Sequence, residues 1–289
     1  MPECTLTSHQ LIARISNMGA ELQSLRTHDG HELIWQADPK VWPRHAPILF
    51  PIVGRLKGDL LKHQGVPYPM GQHGFARDTN FQLINETEQS CTFRLTDDDN
   101  TRAHYPFAFD LRVTYTLLEN SLKVTYLLSN PAETTLYASI GGHPAFIWPL
   151  DPAVAKEKHQ IKFEQSEAAP IRRLQGGLMQ DTPLPSPVSA KTLVLTDELF
   201  EADAIIFDQL VSRRVSYIAS DRRRITLAFD DFPHLGIWSK PGADFICIEP
   251  WQGHASSETF DGEFQDKPGM VALGSGQQRQ WHYTISVNT

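Results

Sequence analysis

The sequence predicts an all-β fold: two large antiparallel sheets packed face to face, with few short helices. Three observations lead there. Apolar and polar residues alternate over short stretches along nearly the whole chain, which is the period of a half-buried strand. Turn signals such as Asp29-Gly30 and Glu119-Asn120 recur between these stretches. Amphipathic helix is almost absent, which leaves room for more than about fifteen strands. So many strands bury their inner faces only as two packed sheets. No internal repeat suggests a propeller or a solenoid. The 289 residues lie within the reach of one all-β domain, so residues 1–289 are read as a single domain.

Residues 5 to 36 alternate as strands, with Leu11, Ala13 and Ile15 on one face. Met18-Gly19-Ala20 turns the chain, and Asp29-Gly30 marks a hairpin. Asp38-Pro39 has the form of an N-cap with proline at the first helical position, predicting one helical turn to Trp42. Pro47 and Pro51 bracket an apolar run too short for a helix, so an extended segment or edge strand ends at Arg55. A hairpin follows, Asp59 to Lys62 against Val66 to Tyr68, then Gln72-His73-Gly74-Phe75-Ala76-Arg77-Asp78. From Phe81 to Ser129 strand follows strand; Leu111, Val113, Tyr115 and Leu117 share one face.

Tyr137 to Ile140 leads into Gly141-Gly142-His143-Pro144-Ala145-Phe146. Residues 150 to 190, rich in Pro, Lys, Glu and Gln, form a partly irregular insertion with a strand near Gln160 to Glu164. Thr196-Asp197-Glu198 caps a short helix near Leu199. Further strands are expected at Ala204 to Phe207, Arg214 to Ala219, Arg224 to Phe229, His234 to Ser239, Phe245 to Glu249 and Gln280 to Val287. Asp97-Asp98-Asp99 and Arg222-Arg223-Arg224 are read as solvated turns.

A formal charge of −8 argues against nucleic acid or an anionic membrane as the main partner. Three scattered cysteines, Cys4, Cys91 and Cys247, support neither a disulfide framework nor a zinc site. Met1-Pro2-Glu3-Cys4 does not begin a signal peptide, and no apolar run is long enough to span a bilayer. A soluble cytoplasmic protein is expected.

Five polar residues stand where packing alone does not call for them. Glu249 ends the apolar strand Phe245-Ile246-Cys247-Ile248, and a carboxylate among such neighbours must be paired or have a raised pKa. That is also what an acid–base catalyst near neutral pH requires. His143 lies between two glycines, which permit close backbone approach, and Pro144, which holds it extended. His73 precedes Gly74, Arg55 ends an apolar strand, and Asp203 precedes Ala204-Ile205-Ile206-Phe207. Each of these has an ordinary alternative as a turn, cap or solvated residue. There is no Gly-x-Ser-x-Gly elbow, phosphate loop or His-Glu-x-x-His helix. A metal set of His73, His143 and Glu249 has no ligand spacing to support it.

Together these segments resemble the aldose 1-epimerase (galactose mutarotase-like) family, in particular its short bacterial branch of lactose-operon accessory type. The resemblance runs from Gly19-Ala20-Glu21-Leu22 and Trp35, through Leu49-Phe50-Pro51-Ile52-Val53-Gly54-Arg55 and His73-Gly74-Phe75-Ala76-Arg77, to Gly141-Gly142-His143-Pro144-Ala145-Phe146 and Glu249-Pro250-Trp251-Gln252-Gly253. It implies a β-supersandwich that interconverts the α and β anomers of an aldohexose, free or phosphorylated, as a monomer or homodimer without cofactor or metal. Carried over by motif, Glu249 is the base and His143 the acid, His73 and Arg55 hold sugar oxygens, and Asp203, with Asp208 as its alternative, binds a sugar hydroxyl. A related branch acts on hexose 6-phosphates, for which Arg77, Arg172 or Arg173 are the basic candidates. A silent sugar-binding or sensor protein on the same fold is the competing reading. A lyase or hydrolase is disfavoured by the lack of a second paired carboxylate.

Overall fold

The alternation expected of the long strands is present from their second residue onward. In Asp110–Leu118 and Ser121–Ser129, Leu111, Val113, Tyr115 and Leu117, then Leu122, Val124, Tyr126 and Leu128, are all buried. Burying each such side chain is worth about 1.5–3 kcal/mol, which is ample to pin the register of the hairpin. The computed structural model describes residues 3–219 and 223–288, so Met1-Pro2 and Arg222 of the segments named above lie outside the described residues.

The two strands sit within a nine-stranded antiparallel sheet. From edge to edge it runs Thr192–Val194, Gln160–Phe163, Arg214–Ile218, Arg224–Ala228, Gln278–Asn288, Ser121–Ser129, Asp110–Leu118, Ser90–Thr96 and Gln82–Glu86. A six-stranded sheet faces it, ordered Ile205–Phe207, His234–Trp238, Phe245–Gln252, Ile140–Gly142 and Ile48–Leu49, with Ala145–Ile147 also paired to Phe245–Gln252. One apolar cluster joins the inner faces: Val113, Val124 and Tyr283 from one sheet, Ile237, Ile246 and Ile248 from the other. A three-stranded sheet, Glu3–Thr7, Leu11–Ser16 and Leu22–Thr27, completes the frame. The all-β, two-sheet expectation therefore holds.

Local differences have local causes. The expected helical turn after Asp38 is a single hydrogen-bonded turn, the Trp42 N–H donating to the Asp38 carbonyl at 2.9 Å. Asp98 does more than solvate a turn: it accepts from the Thr101 N–H at 2.7 Å and caps the four-residue helix Asp99–Arg102. Arg223 lies 3.8 Å from Asp151, and Arg224, exposed as expected, opens a strand rather than a turn. The helix after Thr196 is a 3₁₀ turn, Asp197–Phe200. Within residues 150 to 190, Gln160–Phe163 joins the large sheet. Farther on, Arg172 exchanges two backbone hydrogen bonds with Ile206 (2.8 and 3.0 Å), tying the insertion to the edge of the smaller sheet. No helix among the described residues is long and apolar enough to cross a membrane.

Phe245–Gln252 positions the site. All eight of its residues are buried, so it is covered on both faces. Ile246 and Ile248 enter the inter-sheet core. On the other face Phe245 and Cys247 pack with Trp35, Trp42 and Trp238, while Trp251 packs with Leu49, Val53, Ala204 and Ile206. Glu249 lies between these two outer clusters, on the face away from the core.

Candidate active site

Register brings Glu249 and His143 together. Gly141 pairs with Trp251 and Ala145 with Cys247, so His143, midway between them, falls across from Glu249. Directly opposed residues on antiparallel strands have side chains on one face, close enough to touch. Here His143 Nε2 is 3.1 Å from Glu249 Oε2. Pro144 donates nothing to the ladder, and the His143 N–H turns outward to the Pro47 carbonyl at 3.1 Å.

The glycines around this pair make room for an aromatic wall. On the other side of the central strand, Glu249 pairs with Gly236. A Cβ at Gly236 would lie 2.3 Å from the Trp251 ring, and one at Gly141 would lie 2.6 Å from it. The Trp251 indole thus lies across two strands in the space their missing side chains leave. The sequence reading of Gly141 as a point of close approach is correct, and the approaching group is Trp251. Trp42 stacks on the His143 ring (centroids 5.1 Å, 26°), and Trp238 meets it edge-on at 5.9 Å.

These groups line a cavity of about 300 Å³, with Gln72, His73, Arg77, Leu174, Asp203, Ala204 and Ile206 on its other sides. Glu249 is 1% exposed and His143 7%. Burial pushes the Glu249 carboxyl well above its ordinary range, only partly offset by the Trp251 indole, and Asp203 adds to the rise. Glu249 Oε2 makes no well-aligned hydrogen bond, and its polar neighbour is His143 Nε2 at 3.1 Å. Burial also lowers His143 to about 3, with Arg77 and Arg44 opposing a further positive charge. Both charged forms are disfavoured, so burial favours the state in which the pair holds a single proton.

His73 is anchored at the cavity wall. Its N–H donates to the Gly54 carbonyl (2.7 Å), and its Nδ1 accepts from the Gly54 N–H (3.1 Å). Because Nδ1 accepts, the ring proton sits on Nε2. The two rings, His73 and His143, are 5.7 Å apart at near right angles. Burial, then His143 and Arg77, depress the His73 pKa well below its ordinary value, which keeps the imidazole neutral.

The family model for aldose 1-epimerase matches residues 2–285. The chain belongs to the aldose 1-epimerase family. It is 35% identical to the chromosomal LacX protein of Lactococcus lactis subsp. lactis across 98% of each chain. Among solved structures, a galactose mutarotase related enzyme from Lactobacillus acidophilus superimposes with TM-score 0.93 at 35% identity, covering 100% of this chain and 98% of that one. A galactose mutarotase-like protein from Lactobacillus casei gives 0.92 at 29% identity, covering 99% and 100%.

In this aldose 1-epimerase family member the tertiary structure gathers four of the five residues singled out by sequence: Glu249, His143, His73 and Asp203 all line the cavity. Asp203 sits exposed at its mouth in a left-handed conformation (φ 66°), its Oδ1 accepting from the Ala204 N–H at 2.7 Å. Asp208, the alternative, is 3.0 Å from Arg172 and does not line the cavity.

Arg55 lies apart from these four. It does not line the cavity; its guanidinium grips Asp59 through two 2.6 Å hydrogen bonds and donates to the Gly176 carbonyl at 3.1 Å. Gly54, at φ 75°, bends the chain just before Arg55, and its backbone is held by His73. The arginine at the wall is Arg77, named from sequence only as a phosphate candidate. Burial brings Arg77 down to about 10, and its Nε has no hydrogen-bond partner. Arg173 donates to the Asp203 carbonyl at 2.6 Å, outside the lining. Trp42 and Gln72 also line the cavity without a sequence signal for it: Trp42 reads as the end of a turn, and Gln72 only precedes His73.

Proposed function

We propose that the protein is an aldose 1-epimerase (mutarotase) that interconverts the α and β anomers of a hexose by acid–base ring opening and reclosure. The observation that carries this reading is the contact between Glu249 and His143, 3.1 Å apart in a buried cavity. A pair that shares one proton can take a proton at one sugar oxygen while giving one at another.

The pair enters the reaction as carboxylate and imidazolium once its proton crosses to His143 Nε2, each charge then offsetting the other. Glu249 accepts the proton of the C1 hydroxyl, and a C1=O double bond forms as the C1–O5 bond breaks. O5 takes the proton from His143 Nε2, leaving an open-chain aldehyde. Rotation about C1–C2 presents the other carbonyl face. The O5 hydroxyl then attacks C1 and returns its proton to His143, and the carbonyl oxygen recovers a proton from Glu249. The inward Nε2–H of His73 and the guanidinium of Arg77 are placed to donate to sugar oxygens. Asp203 accepts from a hydroxyl at the mouth, and Trp251 and Trp42 offer apolar faces to ring C–H groups.

Free and 6-phosphorylated hexoses are both within this proposal, Arg77 being the basic group a phosphate would meet. The reading also includes a cytoplasmic location, in keeping with three free, buried cysteines, and a monomer or homodimer.

Polarimetry or NMR of freshly dissolved α-D-glucose, α-D-galactose and their 6-phosphates tests it. Anomeric equilibration is expected to outpace buffer and to be lost in Glu249→Gln. Equilibration at the buffer rate across the whole panel would leave a sugar-binding or sensor role instead.

A further inference from the structure

Cys247 is a thiol beside the reactive pair that the proposed reaction does not use. It lies two residues before Glu249 on the same strand face, and His143 sits across from that strand. One ligand atom from each of His143, Cys247 and Glu249 falls within 4.8 Å of the others, and all three residues are buried. A ligand pair at i and i+2 plus a cross-strand neighbour converges on one point above a sheet.

The donor set is chemically selective. One imidazole nitrogen, one sulfur and one carboxylate oxygen suit zinc and similar thiophilic divalent ions, and suit magnesium or calcium poorly. The 3.1 Å edge between His143 and Glu249 is about the ligand–ligand separation that zinc bond lengths of roughly 2.0–2.2 Å span in a tetrahedron. Glu249 Oε2, on a residue 1% exposed, makes no well-aligned hydrogen bond, and His143 Nε2 lies 3.1 Å from it. Polar atoms so weakly paired at that depth mark a place where a cation gains more than it loses in dehydration. Three protein ligands would leave the fourth tetrahedral position facing the cavity, where Trp42 and Trp238 wall the opening.

We propose that His143, Cys247 and Glu249 form an inhibitory binding site for a thiophilic divalent cation of the zinc type. The cation takes the lone pairs of both proton carriers, so sugar turnover stops while it is bound. Binding displaces both the Cys247 thiol proton and the proton held by the Glu249–His143 pair, which are released to solvent, and the sulfur binds as thiolate. The inhibition rests on the function proposed above; the site itself does not.

Zinc and cobalt(II) salts, with the purified chain and no sugar, are the probes. One equivalent of Zn²⁺ per chain is expected by titration calorimetry. The cobalt(II) adduct is expected to show an intense near-ultraviolet thiolate-to-metal charge-transfer band. Cys247→Ala should abolish that band and weaken zinc binding by at least about tenfold. It should keep the basal anomerisation rate and require correspondingly more zinc for inhibition. A wild-type cobalt adduct without the band, or zinc affinity unchanged in a folded Cys247→Ala, overturns the site. The wild-type spectrum decides alone if the variant does not fold. A chain that binds zinc but never speeds anomerisation removes the proposed function and leaves the site standing; fast anomerisation without zinc binding does the reverse.

Discussion

Replacing Glu249 by glutamine moves activity and stability in opposite directions if the carboxylate is there for chemistry. The amide keeps the shape but cannot take a proton from a C1 hydroxyl. Loss of a positioned general base lowers the rate by about 10²- to 10⁴-fold, or roughly 2.7–5.4 kcal/mol of transition-state stabilisation. Stability follows from the burial. The carboxyl is 1% exposed and burial raises its pKa well above the ordinary 4.5. A raised pKa means the folded chain keeps a proton that the unfolded chain gives up. Its stability is therefore fully present below 4.5 and is lost as pH rises towards the folded-state value. The limiting loss is about 1.4 kcal/mol per pH unit, or roughly 2–3 °C in melting temperature for a chain of this size. Glutamine escapes that loss. His143 titrates in the other sense: its pKa falls from 6.5 to about 3, so its contribution is lost only as pH drops below 6.5. From about pH 6.5 upward the difference between wild type and variant isolates the carboxyl, because Lys267, lowered to about 7, titrates alike in both. Glu249→Gln should melt higher than wild type there, by a margin that grows with pH until the native carboxyl titrates, while polarimetry shows the rate gone. A variant that melts lower at every pH, or that retains full activity, would show a structural carboxyl and refute the reasoning.

The shared proton also shapes the pH profile. With His143 near 3 and Glu249 raised, kcat/KM is expected to show no acid limb at the ordinary histidine value and to fall on the alkaline side as the last proton leaves. Initial rates corrected for buffer catalysis check this, and an acid limb centred near the ordinary histidine value would contradict it. Arg55→Ala should change kcat/KM less than about twofold and stability by under about 1 kcal/mol, because its ion pair with Asp59 is exposed and away from the cavity. Arg77→Ala should cost at least about tenfold in kcat/KM, since a buried guanidinium at a sugar oxygen is a charge-assisted donor. Equal effects in the two variants would contradict the placement. Gly236→Ala puts a Cβ 2.3 Å from the Trp251 ring, which must move into the cavity. A loss of about 1–3 kcal/mol in stability and a clear loss of activity are expected from melting and polarimetry; wild-type behaviour in both would show that the indole does not need that space.

Period-2 alternation is a local property, and it was enough to reveal the all-β class, the strands at Leu111–Leu117 and Phe245–Glu249, and a carboxylate stranded on an apolar face. It also placed Cys247 and Glu249 on one side of one strand, because side-chain direction there depends only on residue spacing. What lies across from a strand depends on register, a long-range quantity. That His143 meets Glu249, and that Gly141 and Gly236 make a bed for Trp251, were decided by pairings between distant segments. The arginines show the same division. Arg55 ends an apolar run as a site residue could, yet the bend at Gly54 leaves it beside Asp59, four residues on. Arg77 comes to the cavity wall only through the turn that His73 holds against Gly54. The sequence determined which residue types were available for chemistry; the fold decided which of them share the space where a sugar could bind, because that depends on contacts among segments far apart in the chain.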